Sequence, residues 1–140
     1  MSIELVPLCT VRAVTRPPIV VGEGPAGRRS IIEVASVRLE GERLRAGSEG
    51  GAAADWVLLG PGAVATVDVR FAVETDDGAT IFVQYGGRID ASVPREQWEI
   101  RVAPRFETSD ERYTWLNTVQ AVGKGHITPE GVTYEWFEVR

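Results

Sequence analysis

The chain has 140 residues, 44% hydrophobic and 25% charged, enough apolar material for one domain over residues 1–140 with a buried core. Its formal net charge of -5 and pI near 4.9 offer no basic field to a phosphate backbone or an anionic lipid surface, which excludes nucleic acid and membrane as expected partners. The single cysteine, Cys9, excludes an intrachain disulfide and points to a reducing, cytoplasmic setting.

The chain opens Met1-Ser2-Ile3-Glu4, with an acid where a signal peptide carries bases, and no apolar run approaches the roughly 20 residues that span a bilayer. From there the dominant hydrophobic period is two, which predicts strands. The first run covers 3–14 and ends at Pro17-Pro18; glycines between Gly22 and Gly27 separate it from a second run over 28–40. A short run over 44–47 leads into Gly47-Ser48-Glu49-Gly50-Gly51-Ala52-Ala53-Ala54. That small-residue stretch reads as a long hairpin connection or, because Asp55-Trp56 follow at once, as a lid or rim over a barrel mouth.

A run over 56–59 stops at Gly60-Pro61-Gly62, and 67–74 then alternates apolar and polar positions almost without fault. Asp77-Gly78 separates it from 80–85, and an Asp-Gly pair between alternating runs predicts a hairpin with a type I′ turn. After Gly86-Gly87 comes a short helical turn around Pro94-Arg95-Glu96-Gln97, then a run over 98–108. Thr108 and Glu111 have capping-box spacing, which suits one helical turn over 109–113. Runs over 115–127 and 132–139, split at Pro129-Glu130-Gly131, complete the chain. About nine strands with regular turns and no long helix predict an all-β protein, a closed antiparallel barrel of about 8 to 10 strands.

Several chemistries are disfavoured. One His and one Cys cannot build a Cys/His metal cluster. His126 stands in Gly123-Lys124-Gly125-His126 without an evident orienting partner, and no serine sits in a nucleophile elbow. Gly22-Glu23-Gly24-Pro25-Ala26-Gly27 matches a dinucleotide fingerprint only in spacing, with a proline inside and no helix after it. No cofactor and no metal are expected.

Parity groups the remaining polar residues. A two-residue turn at Asp77-Gly78 pairs Asp76 with Ala79 and sets Arg70 opposite Tyr85, so Asp68, Arg70 and Tyr85 share a face. Val67, Val69, Phe71 and Val73 share the other with Phe82. In 98–107, Glu99, Arg101, Arg105 and Glu107 lie opposite Trp98, Ile100, Val102 and Phe106, and Asn117 shares a face with Trp115. Either the aliphatic face fills the interior and the charges are solvated, or the lumen is a pocket with a few polar groups among aromatic walls. Seven large aromatics (Trp56, Trp98, Phe106, Tyr113, Trp115, Tyr134, Trp136) are more than one filled barrel easily hides.

Pro104-Arg105-Phe106-Glu107-Thr108, followed by Tyr113-x-Trp115-Leu116-Asn117, resembles the bacterial and fungal domain-of-unknown-function family 3237. Further matching pieces, in order, are Pro7-Leu8-Cys9-Thr10, Ala26-Gly27-Arg28-Arg29, Ala54-Asp55-Trp56, Asp68-x-Arg70-Phe71 with Thr75-Asp76-Asp77-Gly78-Ala79, and a terminal aromatic-Glu-Val. The resemblance implies a small calycin-like or outer-membrane-barrel-like closed sheet, soluble despite that shape, and brings no activity with it. The Asp90-to-Arg95 connection is more compact here than in many relatives.

Two functional readings follow. One is a cofactor-independent enzyme, an isomerase, lyase or cyclase working by proton transfer on a small cyclic or aromatic metabolite. Asp55 or Glu107 would be the general acid or base, since burial can raise a carboxyl toward neutrality. Arg70 and Asn117 would stabilise enolate charge and Tyr85 or Tyr113 supply a proton. Trp56, Asp68, Arg101 and Trp115 would bind the substrate. Each has a structural alternative, such as capping, surface ion pairs or core packing. The other reading is a calycin-type carrier of a hydrophobic small molecule; a homodimer through open strand edges is a further possibility.

Overall fold

The computed structural model describes residues 1–49 and 51–140. Alternating burial dictates its architecture: in β6 (Val64–Thr75), every second residue from Ala65 through Thr75 is buried. The other strands are β1 (Leu5–Thr15), β2 (Ile19–Gly24), β3 (Gly27–Glu40), β4 (Arg45–Glu49), β5 (Ala54–Gly60), β7 (Thr80–Asp90), β8 (Ile100–Val102), β9 (Arg105–Glu107), β10 (Ala121–Ile127) and β11 (Gly131–Val139). Antiparallel pairing runs β1-β3-β5-β6-β7-β8-β10-β11 and returns to β1, a closed barrel of eight strands with extra strands attached. Among the described residues no helix is long and apolar enough to cross a membrane.

Three staves of the barrel are made in two pieces. After Pro17-Pro18, β2 takes over from β1 along β3, reaching Ile31 where β1 stops at Val34. β4 and β5 share the strip between β3 and β6, β4 facing Ser36 to Glu40 and β5 facing Arg28 to Glu33. β8 and β9 flank β7 at Gly87-Arg88 and at Phe82 to Gln84. The break between them falls at Ala103-Pro104, where proline has no N–H for the ladder. The expected single run over 98–108 is therefore two short strands.

The hairpin at Asp77-Gly78 departs from the expected turn by one residue. Only Gly78 has positive φ there (+94°), whereas a type I′ turn needs two such residues. The loop is instead Asp76-Asp77-Gly78, closed by Thr75: the Ala79 N–H donates to Thr75 Oγ1 at 2.7 Å, and that hydroxyl donates to Asp77 at 2.7 Å. The register becomes Val69 opposite Tyr85 and Arg70 opposite Gln84. A one-residue slip reverses every side chain of one strand relative to its neighbour. Tyr85 therefore joins Val69 and Phe71 inside, and Phe82 moves to the outer face with Ala72.

Two other expectations shift. The segment 115–118 is not strand but a 3-10 turn over Thr114–Thr118, which crosses the end of the barrel and buries Leu116 completely. The capping-box reading at Thr108 gives way to a shorter device, with the Asp110 N–H donating to Thr108 Oγ1 at 3.2 Å. Gly50 lies outside the described residues; beyond it, Ala53 accepts the Val34 N–H at 3.0 Å, so the chain rejoins β3 on the barrel wall rather than over an end. The short turn expected near Pro94 is present at Arg95–Gln97.

The two ends differ. At one, Leu116 caps a core containing Leu39, Leu44, Ile81, Val83 and Val73, each no more than 2% exposed. Above this lies an aromatic layer in edge-to-face contact: Tyr85 packs on Phe71 (centroids 6.1 Å apart) and Trp136 (5.3 Å), and Trp136 on Phe106 (6.0 Å). At the other end the lumen stays open.

Candidate active site

The open end holds a cavity of about 100 Å³. Its floor is Tyr85 and Tyr134, its walls include Asp55, Val57, Val67, Val69 and Ile100, and Arg95, Trp98 and Ile127 reach it from the rim. Inward parity explains the set: Asp55 and Val57 alternate on β5, Val67 and Val69 on β6, and Val132, Tyr134 and Trp136 on β11. β10 makes room for the rings of β11. A Cβ on Gly125 would stand 2.4 Å from the Tyr134 ring and 2.3 Å from the Thr133 carbonyl, so any side chain there would force Tyr134 to move.

Asp55 is the only carboxylate among the described residues lining the cavity. Its Oδ1 accepts the Asp68 N–H at 3.0 Å. Loss of hydration raises its pKa from 3.8 to about 6; the Asp68 N–H pulls it partly back, and the Asp68 carboxylate across the wall pushes it further up. No cation offsets this. Below it, Tyr85 and Tyr134 are each 4% exposed and meet edge to face, their rings 5.6 Å apart. Burial holds both phenols well above their ordinary pKa; Tyr134 pushes Tyr85 further up, Tyr85 partly offsets the rise at Tyr134, and the Asp55 carboxylate adds to both. The site therefore combines a carboxyl able to gain or lose a proton near neutral pH with two phenols that remain hydrogen-bond donors.

Of the residues singled out from sequence, Asp55 and Tyr85 meet in this cavity. The others stand elsewhere, on the outer wall or at the capped end. Arg70 is exposed, its guanidinium 5.5 Å from the Trp56 ring and 3.8 Å from the Asp68 carboxylate. Asp68 touches the site only through its backbone N–H. Glu107 is exposed on β9, and Arg101 is held by Glu99 at 2.7 Å. Tyr113 donates to Asp77 at 2.8 Å, Arg43 lies 4.6 Å over Trp115, and Asn117 closes the Thr108 backbone with two 2.9 Å hydrogen bonds. Asp68 and Arg70 face outward because β6 turns its alternate positions Val67, Val69 and Phe71 inward, the slipped register separating them from Tyr85, and the 3-10 turn carries Trp115 and Asn117 to the capped end. His126 is exposed on β10.

Sequence reasoning passed over Tyr134, Arg95 and Trp98 as site residues. Tyr134 was signalled by the Val132-x-Tyr134-x-Trp136 parity facing Gly123 and Gly125, a pairing of large with absent side chains. Arg95 and Trp98 carry no such signal, because a turn delivers them rather than a strand. Among the described residues no three potential His, Cys, Asp or Glu ligands gather as a metal site.

The model of the family described as "Protein of unknown function (DUF3237)" matches residues 3–139. The chain belongs to this family. Among curated relatives, a UPF0311 protein of Rhodopseudomonas palustris (strain TIE-1) is 30% identical over 107 residues, 68% of this chain and 69% of that one. Among solved structures, a beta-barrel like protein from Acinetobacter baumannii AYE superposes with TM-score 0.88 at 28% identity, covering 100% of this chain and 98% of its own. A structure described as an enzyme from Penicillium herquei has TM-score 0.78 at 22% identity, covering 99% and 94%, which is a likeness of fold. The DUF3237 barrel is thus shared across these chains.

Proposed function

We propose that this DUF3237 barrel is a small-molecule site and a cofactor-independent acid/base enzyme, an isomerase, lyase or cyclase acting on a small cyclic or aromatic metabolite. The observation that carries the reading is Asp55, a carboxyl kept inside the barrel without a compensating cation, where it costs stability. As carboxylate, Asp55 would take a proton from a carbon next to a substrate carbonyl. The released electron pair would move onto the carbonyl oxygen, which Tyr134 would stabilise by hydrogen bonding while Tyr85 supports Tyr134. Asp55 would then return the proton to the same carbon or, where a double bond is conjugated with the enolate, to its γ-carbon, so the step is balanced without a co-reactant. That one barrel of this shape is described as an enzyme is compatible with the reading and supplies no residue role.

Size restricts the substrate. About 100 Å³ is less than the roughly 150 Å³ of a cavity that admits benzene. Only the reacting end enters, and any larger ring system extends past Trp98. A carrier is the second reading, favoured by the aliphatic walls Val57, Val67, Val69 and Ile100. The test is solvent-deuterium incorporation, followed by NMR, into a panel of small enolisable ketones. The wild-type chain is expected to accelerate exchange in at least one, and Asp55→Asn to reduce that acceleration by about 100-fold or more while still binding. Full exchange activity in Asp55→Asn removes Asp55 as the base; binding without exchange leaves the carrier.

A further inference from the structure

We propose that the ligand of this cavity carries an anionic group, a carboxylate or its equivalent, placed beside the reacting carbonyl and bound by Arg95 at the rim. The inference rests on the reading of the cavity as a substrate site and adds the chemical class of what enters it.

Arg95 is the only cationic residue among the described residues that line the cavity. It is presented by a fixed turn rather than a loose loop. The Gln97 N–H donates to the Pro94 carbonyl at 2.8 Å, the Trp98 N–H to the Arg95 carbonyl at 3.1 Å, and the Trp98 indole N–H to the Val93 carbonyl at 3.1 Å. Trp98 thereby anchors the turn while its ring separates the cavity from a groove on the outer wall, where Glu96, Glu99, Lys124 and His126 lie. The acids flanking Arg95 in sequence thus belong to the outer groove, and Glu99 is engaged by Arg101 at 2.7 Å and Lys124 at 3.6 Å.

The Arg95 guanidinium itself has no carboxylate and no side-chain hydrogen bond among the described residues. Among the described residues Arg12, Arg28, Arg45, Arg88 and Arg105 also show no side-chain partner, but only Arg95 lines this cavity. Nor does Arg95 serve Asp55, whose charge is acted on by Asp68 and by no cation. A planar five-donor fork, exposed on a pinned turn at the mouth of the cavity and with its donors unspent, fits a carboxylate in two-point contact. A ligand reaching from that fork to the phenol of Tyr134 sets its carbonyl deep and its anion at the rim. Charge then fixes which end enters, a distinction that aliphatic walls cannot make.

Acetoacetate and acetoacetamide test this, because they have the same shape and the same enolisable carbonyl and differ in the charge of one end. Binding is read from chemical-shift titration of the Trp98 indole and Tyr134 ring signals, and deuterium exchange is recorded on the same samples. Wild type is expected to bind acetoacetate about ten-fold more tightly than the amide. Arg95→Met is expected to remove that preference by weakening acetoacetate about ten-fold more than the amide. Equal affinities in wild type, or a preference that survives Arg95→Met, overturn the proposal and leave the enzyme reading standing. A preference that depends on Arg95, without accelerated exchange of either compound, upholds the anion site and counts against the catalytic reading. Saturable binding of neither compound overturns the proposal and the reading beneath it together.

Discussion

The two halves of the barrel are built from the same strands with the same alternation, yet they are filled by different rules. On β6, Phe71 and Val73 plug the capped half, whereas Val67 and Val69, four and two residues before Phe71, leave a hollow. On β11, Trp136 closes the aromatic layer and Tyr134 lines the open half. The capped half thus reaches the side-chain filling expected of an eight-stranded barrel, and the open half retreats from it at a cost in stability. A protein that fills one end completely has the means to fill the other, and the hollow with its carboxyl is the departure on which the proposed function rests. Substitutions should respond differently on the two sides of the Tyr85-Trp136 layer.

The largest effect is expected in the capped half. Phe71→Ala deletes a ring that is 2% exposed and packed on Tyr85, and should cost about 3–5 kcal/mol in urea unfolding, since large-to-small core changes leave a cavity that relaxes only in part. Val67→Ala, which borders space that is already empty, should cost far less. Equal losses would erase the distinction between the halves. Next is Gly125→Ala. Its new methyl meets the Thr133 carbonyl and the Tyr134 ring, and the strain should cost about 2–3 kcal/mol and shift the Tyr134 ring resonances. An unshifted Tyr134 would mean that β10 does not set the floor of the cavity.

Asp55→Asn sharpens the comparison with a gain instead of a loss. Burial raises this carboxyl from 3.8 to about 6, so the folded chain holds its proton more tightly than the unfolded chain does. Its cost to stability is therefore absent below about pH 4, grows as the pH rises toward 6, and is fully present above that. Allowing for water at the mouth, the amide should stabilise the fold by on the order of 2 kcal/mol at pH 7.5 and by almost nothing at pH 4. The Asn side-chain oxygen can still accept the Asp68 N–H. Urea titrations at the two pH values check this, and an equal effect at both would mean the carboxyl is solvated.

Alternation, breakers and the lack of a helical period make the barrel readable from sequence, because each acts within a few residues. The site depends on longer-range facts. The inward placement of Tyr85 turns on whether the loop after Thr75 holds two residues or three, and the Thr75 hydroxyl settles that by closing the longer loop. The break at Pro104 was visible as a proline inside a run, a signal outweighed by the alternation around it. Asp55 was legible as a carboxyl beside an aromatic on a strand, but its burial depends on β3 and β6 lying on either side. Arg95 owes its position to a turn pinned by Trp98, and no periodicity announces such contacts.

The smallest effects are expected on the outer wall, where the sequence placed several functional candidates. Arg70→Ala removes a 3.8 Å ion pair to Asp68 and a guanidinium 5.5 Å from the Trp56 ring. Both partners of the ion pair are about half exposed, so screening by water and salt holds the loss below about 1 kcal/mol. Because the sheet separates Arg70 from the cavity, ligand affinity and deuterium exchange should match wild type within about two-fold, the range in which exposed substitutions are silent. Arg70 nevertheless lies one residue from Val69, which faces Asp55 across β5 and β6. A clear loss of exchange in Arg70→Ala, with an unchanged unfolding midpoint, would therefore mean that the wall transmits what happens on its outer face. The functional surface would then extend through the sheet, and inside and outside would cease to be separate regions.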